Sequence, residues 1–363
     1  MKWYKILALT LMMSSSLSGW AKEKDNNYEE SEKLSKSYAV TDDTYVEIEN
    51  KYGDIEVVTW DKDSIRIDVE MNYQADDWND IQKLKDLFEI EFVKGSDFVV
   101  AKTKWSDDVG ILRKGKLEIT QGFGNQKLEI NYKIQLPKNL ELEIVNKFGD
   151  VFMGNYSGSL KVEMSYGDFR ARSLTNLKEL KAGYGKVKIK EVRKGRLTFN
   201  SVKPAIIDDV EDVIIQSSGS DIEIESANEV NINSRHDEIL FEEISALTGD
   251  MTLTDLEVDR LVKNMGTNSK FGSIRIKEID AGSELINLNG NKTDFRLGFS
   301  SFYNGAVEVT VSKELDFMYA SNFKIENRGV NSEGNWEGRG KVGENGTSRV
   351  MIVAENGFVE LEE

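Results

Sequence analysis

The stretch Asn146–Val192 says nearly the same thing three times: Phe148-Gly149-Asp150, Tyr166-Gly167-Asp168 and Tyr184-Gly185-Lys186 stand 18 residues apart. Each unit leads into an apolar-x-apolar-x-x-apolar triplet, and the triplets continue beyond the motif. They are Val151/Met153/Tyr156, Phe169/Ala171/Leu174, Val187/Ile189/Val192, Ala205/Ile207/Val210, Ile222/Ile224/Ala227, Ile239/Phe241/Ile244, Leu256/Val258/Leu261 and Ile274/Ile276/Ile279. Their starts are spaced 18, 18, 18, 17, 17, 17 and 18, and all 24 positions are apolar in a chain that is 39 % hydrophobic.

Apolar-x-apolar is a short strand with one face inward, and the two-residue gap before the third apolar residue predicts a bend that points inward again. A repeat this short cannot hold a β-α-β crossover, which needs about 30 residues. It suffices for one circuit that returns one strand spacing along. The sequence therefore predicts an all-β fold: a right-handed parallel β-solenoid of about 17–18 residues per coil, each coil burying its apolar side against its neighbours. A second strand per coil is visible at Leu160/Val162/Met164, Leu197/Phe199, Val213/Ile215 and Val230/Ile232, and nearly vanishes after Leu261.

Two columns mark the corner before each triplet. Gly149, Gly167, Gly185, Lys203, Ser220, Asp237, Thr254 and Gly272 read as a positive-φ turn position. One residue earlier, Phe148, Tyr166, Tyr184, Val202, Gly219, His236, Leu253 and Phe271 read as a partly aromatic ladder. Tyr52-Gly53-Asp54, with Ile55, Val57 and Trp60, is the same unit far upstream.

The chain then divides as follows. Residues 1–21 read as a secretory signal: Lys2 and Lys5, an apolar run from Ile6 to Met13, and small residues up to a cleavage site after Ala21. Residues 22–43 read as a disordered lead-in. Residues 44–145 hold the first coil and a β-rich cap, with one helix over 75–88 (Trp78, Ile81, Leu84, Leu87 and Phe88 at helical spacing) capped by Asp76 or Asp77. The cap is expected to cover the solenoid's open edge. Residues 146–280 are the regular solenoid and 281–363 irregular coils and a second cap, with Asn331–Gly346 as a loop. Asp107–Gly115 reads as another loop, followed by a strand over Lys116–Thr120.

Composition narrows function. With no cysteine there is no disulfide, no thiolate nucleophile and no lipid-bearing cysteine. The net charge of −17, with no basic block, argues against nucleic acid as a partner. No segment after the leader is long enough to span a membrane. These features fit an exported protein of the periplasm or cell surface of a Gram-negative bacterium.

The stretch Asn50–Met71 (NKYGDIEVVTWDKDSIRIDVEM), followed by a helix and a later Asn-Lys-Phe-Gly-Asp, resembles the adhesin-like β-solenoid domains of Bacteroidetes. The resemblance covers most of the chain after the leader. It implies a secreted β-solenoid and an adhesin-like role, and carries over no catalytic residue, metal or cofactor.

The residues offer three kinds of chemistry. A column of Asp150, Asp168, Lys186, Pro204, Asp221, Glu238, Asp255 and Ser273 precedes the triplets. Its carboxylates read first as turn residues bonded to backbone N–H groups; rows of acids also occur in polysaccharide-cleaving β-helices, and spaced carboxylates can hold Ca²⁺. His236, the single histidine, falls in the aromatic column, so a two-histidine metal site is impossible. Gly338, Gly340 and Gly343 match a dinucleotide fingerprint without the strand–turn–helix it requires. Trp105, Phe123, Trp336 and Phe358 lie in turn-rich stretches where exposed rings could contact carbohydrate, and Asn289–Asp294 (NGNKTD) reads as a polar turn. The expectation is a non-enzymatic, exported, envelope-associated binding scaffold for a carbohydrate or protein partner, without cofactor; the alternative is a carbohydrate-active β-helix enzyme using Asp150 and Asp168.

Overall fold

The structure, a computed structural model, describes residues 28–106, 126–313, 316–343 and 346–362. The leader, Phe123 and the segments expected at Asp107–Gly115 and Lys116–Thr120 lie outside the described residues. The fold is all-β, with one short helix and one mixed sheet of 23 strands among the described residues.

The triplets are in register. Val187, Ile189 and Val192 lie beside Ala205, Ile207 and Val210, which lie beside Ile222, Ile224 and Ala227, in parallel pairs. Every triplet residue is buried. Ile55 and Val57 pair in parallel with Val151 and Met153, so the early Tyr-Gly-Asp unit is the layer directly beneath the repeats. Period-two alternation puts alternate members of the strands into one continuous core running from Val40 to Leu361.

The second strand does not fade after Leu261. Asp255–Ile279 is one continuous strand, and its inward positions Met265, Thr267 and Ser269 are all buried. The apolar signal is lost there because two of the three inward residues are hydroxylated.

The sheet is mixed because both ends are built of antiparallel strands. Ser64–Ala75 pairs antiparallel with Lys127–Leu136 on one side and with Tyr28–Ala39 on the other. Tyr28–Ala39 is thus an ordered strand in the stretch read as a disordered lead-in. It alternates poorly because most of it faces solvent, and it is held by backbone pairing along its whole length and by Lys85, which bonds Glu30 and Glu32 at 2.7 Å each.

The helix is shorter than the apolar spacing suggests, Trp78–Lys85, with Asp77 as N-cap accepting from the Asn79 amide. Ile81 and Leu84 are its buried stripe, while Phe88 already belongs to the next strand. Phe98–Trp105 and Lys127–Leu136 pair in parallel with Tyr45–Lys51 and Ile55–Thr59, so the insertion adds a layer to the stack as well as covering it.

At the other end the order in space departs from the order in sequence. Leu285–Phe299 is followed across the sheet by Ser348–Glu355 and Val359–Glu362, and only then by Gly305–Val311 and Phe317–Tyr319. The middle of the stretch read as a loop, Asn331–Gly346, is strand: Trp336–Val342 pairs antiparallel with Gly305–Val311 and Lys324–Val330. Its alternate residues Gly338 and Gly340 lie flat on Trp336 and Ile325, where a side chain would collide. Two glycines inside a strand therefore erased its apolar alternation.

Candidate functional site

The repeated corner is where the sequence concentrates its distinctive residues. The left-handed φ falls on the aromatic residue, 68° at Tyr52, 60° at Phe148, 60° at Tyr166 and 56° at Tyr184, and φ is not positive at Gly149, Gly167 and Gly185 after it. The glycine serves close approach. A Cβ on Gly149 would fall on the carbonyl oxygen of Gly53, one on Gly167 on that of Gly149, and one on Gly185 on that of Gly167. Corner glycines therefore nest coil on coil, which corrects the turn-glycine expectation by one residue.

The left-handed corner projects the rings outward, one per layer. Tyr52, Phe148, Tyr166 and Tyr184 stack at 5.2, 4.9 and 4.9 Å with interplanar angles of 13°, 8° and 5°. Trp105 closes the lower end edge-on at 5.2 Å from Tyr52. In the next coil the left-handed residue is Ser201 rather than Val202, which is buried; the extra residue ahead of Ala205 shifts the column by one. Gly219, exposed His236, Leu253, Phe271 and Lys292 then occupy the same corner. Replacing Tyr166 with Ala is expected to lower stability by about 1–2 kcal/mol, through two lost stacks. Tyr166→Phe should leave stability unchanged; urea denaturation reads both.

The acidic column forms inter-coil caps. Asn131 Oδ1 accepts from the Asp54 amide at 2.8 Å, Asp54 Oδ1 from the Asp150 amide at 2.8 Å, Asp150 Oδ1 from the Asp168 amide at 2.7 Å and Asp168 Oδ1 from the Lys186 amide at 3.0 Å. Burial pushes the Asp54 carboxyl above the ordinary aspartate range, against the Asp150 amide that favours its charged form. Beyond Lys186 the chain of caps breaks. Asp221 pairs with Lys203 at 2.9 Å, Asp255 accepts from the Ser273 hydroxyl at 2.6 Å, and Glu238 is exposed. Among the described residues no group of three or more His, Asp and Glu is placed to hold a metal ion. Asn289–Asp294, read as a polar turn, lies within the strand Leu285–Phe299 with its left-handed corner at Lys292, and Asp294 caps the Phe358 amide at 3.1 Å.

Where the aromatic ladder stops, an interior polar network takes over. Asp237 is 2 % exposed. Its Oδ1 accepts from the Ser217 hydroxyl at 3.0 Å and the Ser220 amide at 2.7 Å, and its Oδ2 from the Ser234 hydroxyl at 2.6 Å and the Arg235 amide at 2.9 Å. The Ser234 hydroxyl also meets that of Thr254 at 2.8 Å. The sequence signal was present, since Ser220, Asp237 and Thr254 replace glycine in one column. Reading them as turn substitutes missed that their side chains point inward.

Of the four aromatics considered as sugar platforms, Trp336 is buried and Trp105 is packed against Tyr52 and Phe88. Two open concavities lie elsewhere, on the face that carries the residue between the first two apolar positions of each triplet, such as Glu56, Phe152, Arg170 and Lys188. One, of about 770 Å³, lies over Asp54, Glu56, Arg66, Asp68, Lys133 and Phe152. The next, about 560 Å³, shares Glu56 and Phe152 and extends over Gly154, Arg170, Arg172, Lys188 and Lys190.

The charge there is unlike that of the chain as a whole. Between residues 169 and 200 stand Arg170, Arg172, Lys178, Lys181, Lys186, Lys188, Lys190, Arg193, Lys194 and Arg196, against Glu179 and Glu191. Residues 201–260, by contrast, carry only Lys203, Arg235 and Arg260 as basic residues among many acids. The net charge had concealed this basic band, which qualifies the statement that no basic block exists.

No protein-family model matches the sequence, and no curated protein does. Among solved structures, the chain is similar to a putative adhesin from Bacteroides fragilis NCTC 9343, at 11 % identity and a TM-score of 0.33, over 68 % of this chain and 96 % of that one. It is similar to a putative adhesin from Parabacteroides distasonis ATCC 8503, at 12 % identity and a TM-score of 0.31, over 91 % and 97 %. A putative lipid binding protein from the same organism gives 13 % identity and a TM-score of 0.34, over 72 % and 95 %. No helix among the described residues is long and apolar enough to cross a membrane.

Proposed function

We propose that this chain is an exported, non-enzymatic, adhesin-like binding scaffold of the cell envelope. In this reading residues 1–21 are a leader removed on export, and 146–280 are the regular coils of a right-handed parallel β-solenoid whose long faces are the working surface. The handedness follows from the parallel-crossover rule. The observation that carries the reading is the fate of the acidic column. The carboxylates that a β-helix hydrolase or lyase would use, Asp150 and Asp168, each accept the backbone amide of the next coil. A general acid or nucleophile needs its oxygens turned to substrate; one oxygen of each is turned along the stack, and the other oxygen of Asp168 meets Arg170 at 3.3 Å. No cofactor or metal is invoked.

Purified protein without residues 1–21 is expected to be retained on a glycan or envelope-component array and to leave a panel of polysaccharides and peptides chemically unchanged. Ordinary turnover of any of them would replace this reading with the enzyme reading. The double substitution Asp150→Ala/Asp168→Ala is expected to lower stability by about 1–2 kcal/mol, as loss of two caps does.

A further inference from the structure

We propose that the basic end of the groove over Phe152 binds an anionic polysaccharide, one whose sugars carry carboxylate groups. This deepens the binding-scaffold reading and rests on it. Arg170 lies directly beside Lys188 in parallel register, and Arg172 falls opposite Lys190, between the paired positions Ala171/Ile189 and Ser173/Glu191. All four are exposed. Only Arg170 has a carboxylate partner, Asp168 at 3.3 Å; Arg172, Lys188 and Lys190 have none within ion-pair distance among the described residues. Like charges opposite each other on neighbouring strands destabilise a sheet. A quartet of them, three without an ion pair in so acidic a chain, is a surface that gains from an external anion.

The neighbouring geometry selects the kind of anion. Phe152 sits one coil below Arg170, half-buried, with the guanidinium 5.5 Å from its ring centre. Next to it, a Cβ on Gly154 would meet nothing within 4 Å, so the floor is open there. Further along, charges are internally matched: Lys133 with Glu56 at 2.8 Å and Arg66 with Asp68 at 3.0 Å. A neutral wall of donors and acceptors suits hydroxyls, which do both. A chain that lays hydroxyls on that wall, a ring face on Phe152 and carboxylates on the quartet is an acidic polysaccharide. A nucleic acid would carry its phosphates from the quartet into the acidic coils above, where Asp208 already borders the groove.

The test is binding of oligogalacturonate to the full-length mature protein by calorimetry, beside neutral dextran, dextran sulfate, poly-glutamate and single-stranded DNA. Oligogalacturonate is expected to bind, to weaken steeply with added salt, and to lose at least tenfold in affinity in Lys188→Glu/Lys190→Glu. Lys194→Glu/Arg196→Glu makes the same charge change outside the groove and is expected to cost less than threefold. Phe152→Ala is expected to cost threefold to tenfold for oligogalacturonate and nothing for poly-glutamate. If dextran sulfate binds and oligogalacturonate does not, the carboxylate assignment is overturned. Equal losses in both double variants, or equal binding of poly-glutamate or DNA, would reduce the band to generic charge and overturn the proposal. Cleavage of the oligomer would instead overturn the scaffold reading, and chromatography of the recovered ligand separates the two failures.

Discussion

Substituting Ala for Gly167 is expected to destabilise the protein by at least about 3 kcal/mol. The added methyl would fall on the Gly149 carbonyl, which belongs to the coil beneath. Backbone cannot rotate out of the way as a side chain can. The two coils would have to separate, loosening the Phe148–Tyr166–Tyr184 stack and the Asp150-to-Asp168 cap together. In a stack where each layer contacts only its neighbours, the damage stays local. Far-UV circular dichroism should therefore fall little while limited proteolysis gains a cut between about 150 and 185. Gly154→Ala is the control: its Cβ meets nothing within 4 Å, and a change within about 0.5 kcal/mol is expected. Equal melting curves for the two variants would show that the coils do not nest through glycine.

Asp237→Ala is expected to cost about 3–5 kcal/mol, measured by urea denaturation. It would strip partners from two hydroxyls and from the amides of Ser220 and Arg235, in a place where water cannot replace them. Asp237→Asn keeps one acceptor oxygen and turns a donor toward donors, so an intermediate loss is expected. A wild-type melting curve for the alanine variant would mean that the serine and threonine hydroxyls hold the corner without the carboxylate.

The sequence disclosed what repeats and faces inward as hydrocarbon. The triplets, their register and the Phe148–Tyr166–Tyr184 column follow from spacing alone, because a coil that buries its apolar side must return with the same period. What it concealed has specific causes. Thr267 and Ser269 hold inward positions without being apolar, so their strand went unseen. Gly338 and Gly340 erase alternation in a strand packed on Trp336. Tyr28–Ala39 is held by backbone bonds that leave no mark on side-chain choice. Asp237 sat in the right column with the wrong direction assigned to its side chain. The basic band was lost by summing charge over the chain: a total reports solubility and average field, while a partner meets the local field.

The arrangement of the far end bears on how the molecule comes into being. Ser348–Glu362 occupies a layer flanked by Leu285–Phe299 on one side and by Gly305–Val311 and Phe317–Tyr319 on the other, all of which leave the ribosome earlier. A chain emerging from its amino end can wind the inner layers as it appears, yet this end of the stack stays ajar until Ser348–Glu362 has emerged. The closing piece is a keystone, dropped in after the stones on either side. Removing Ser348–Glu362 would leave Phe295 and Leu297 uncovered.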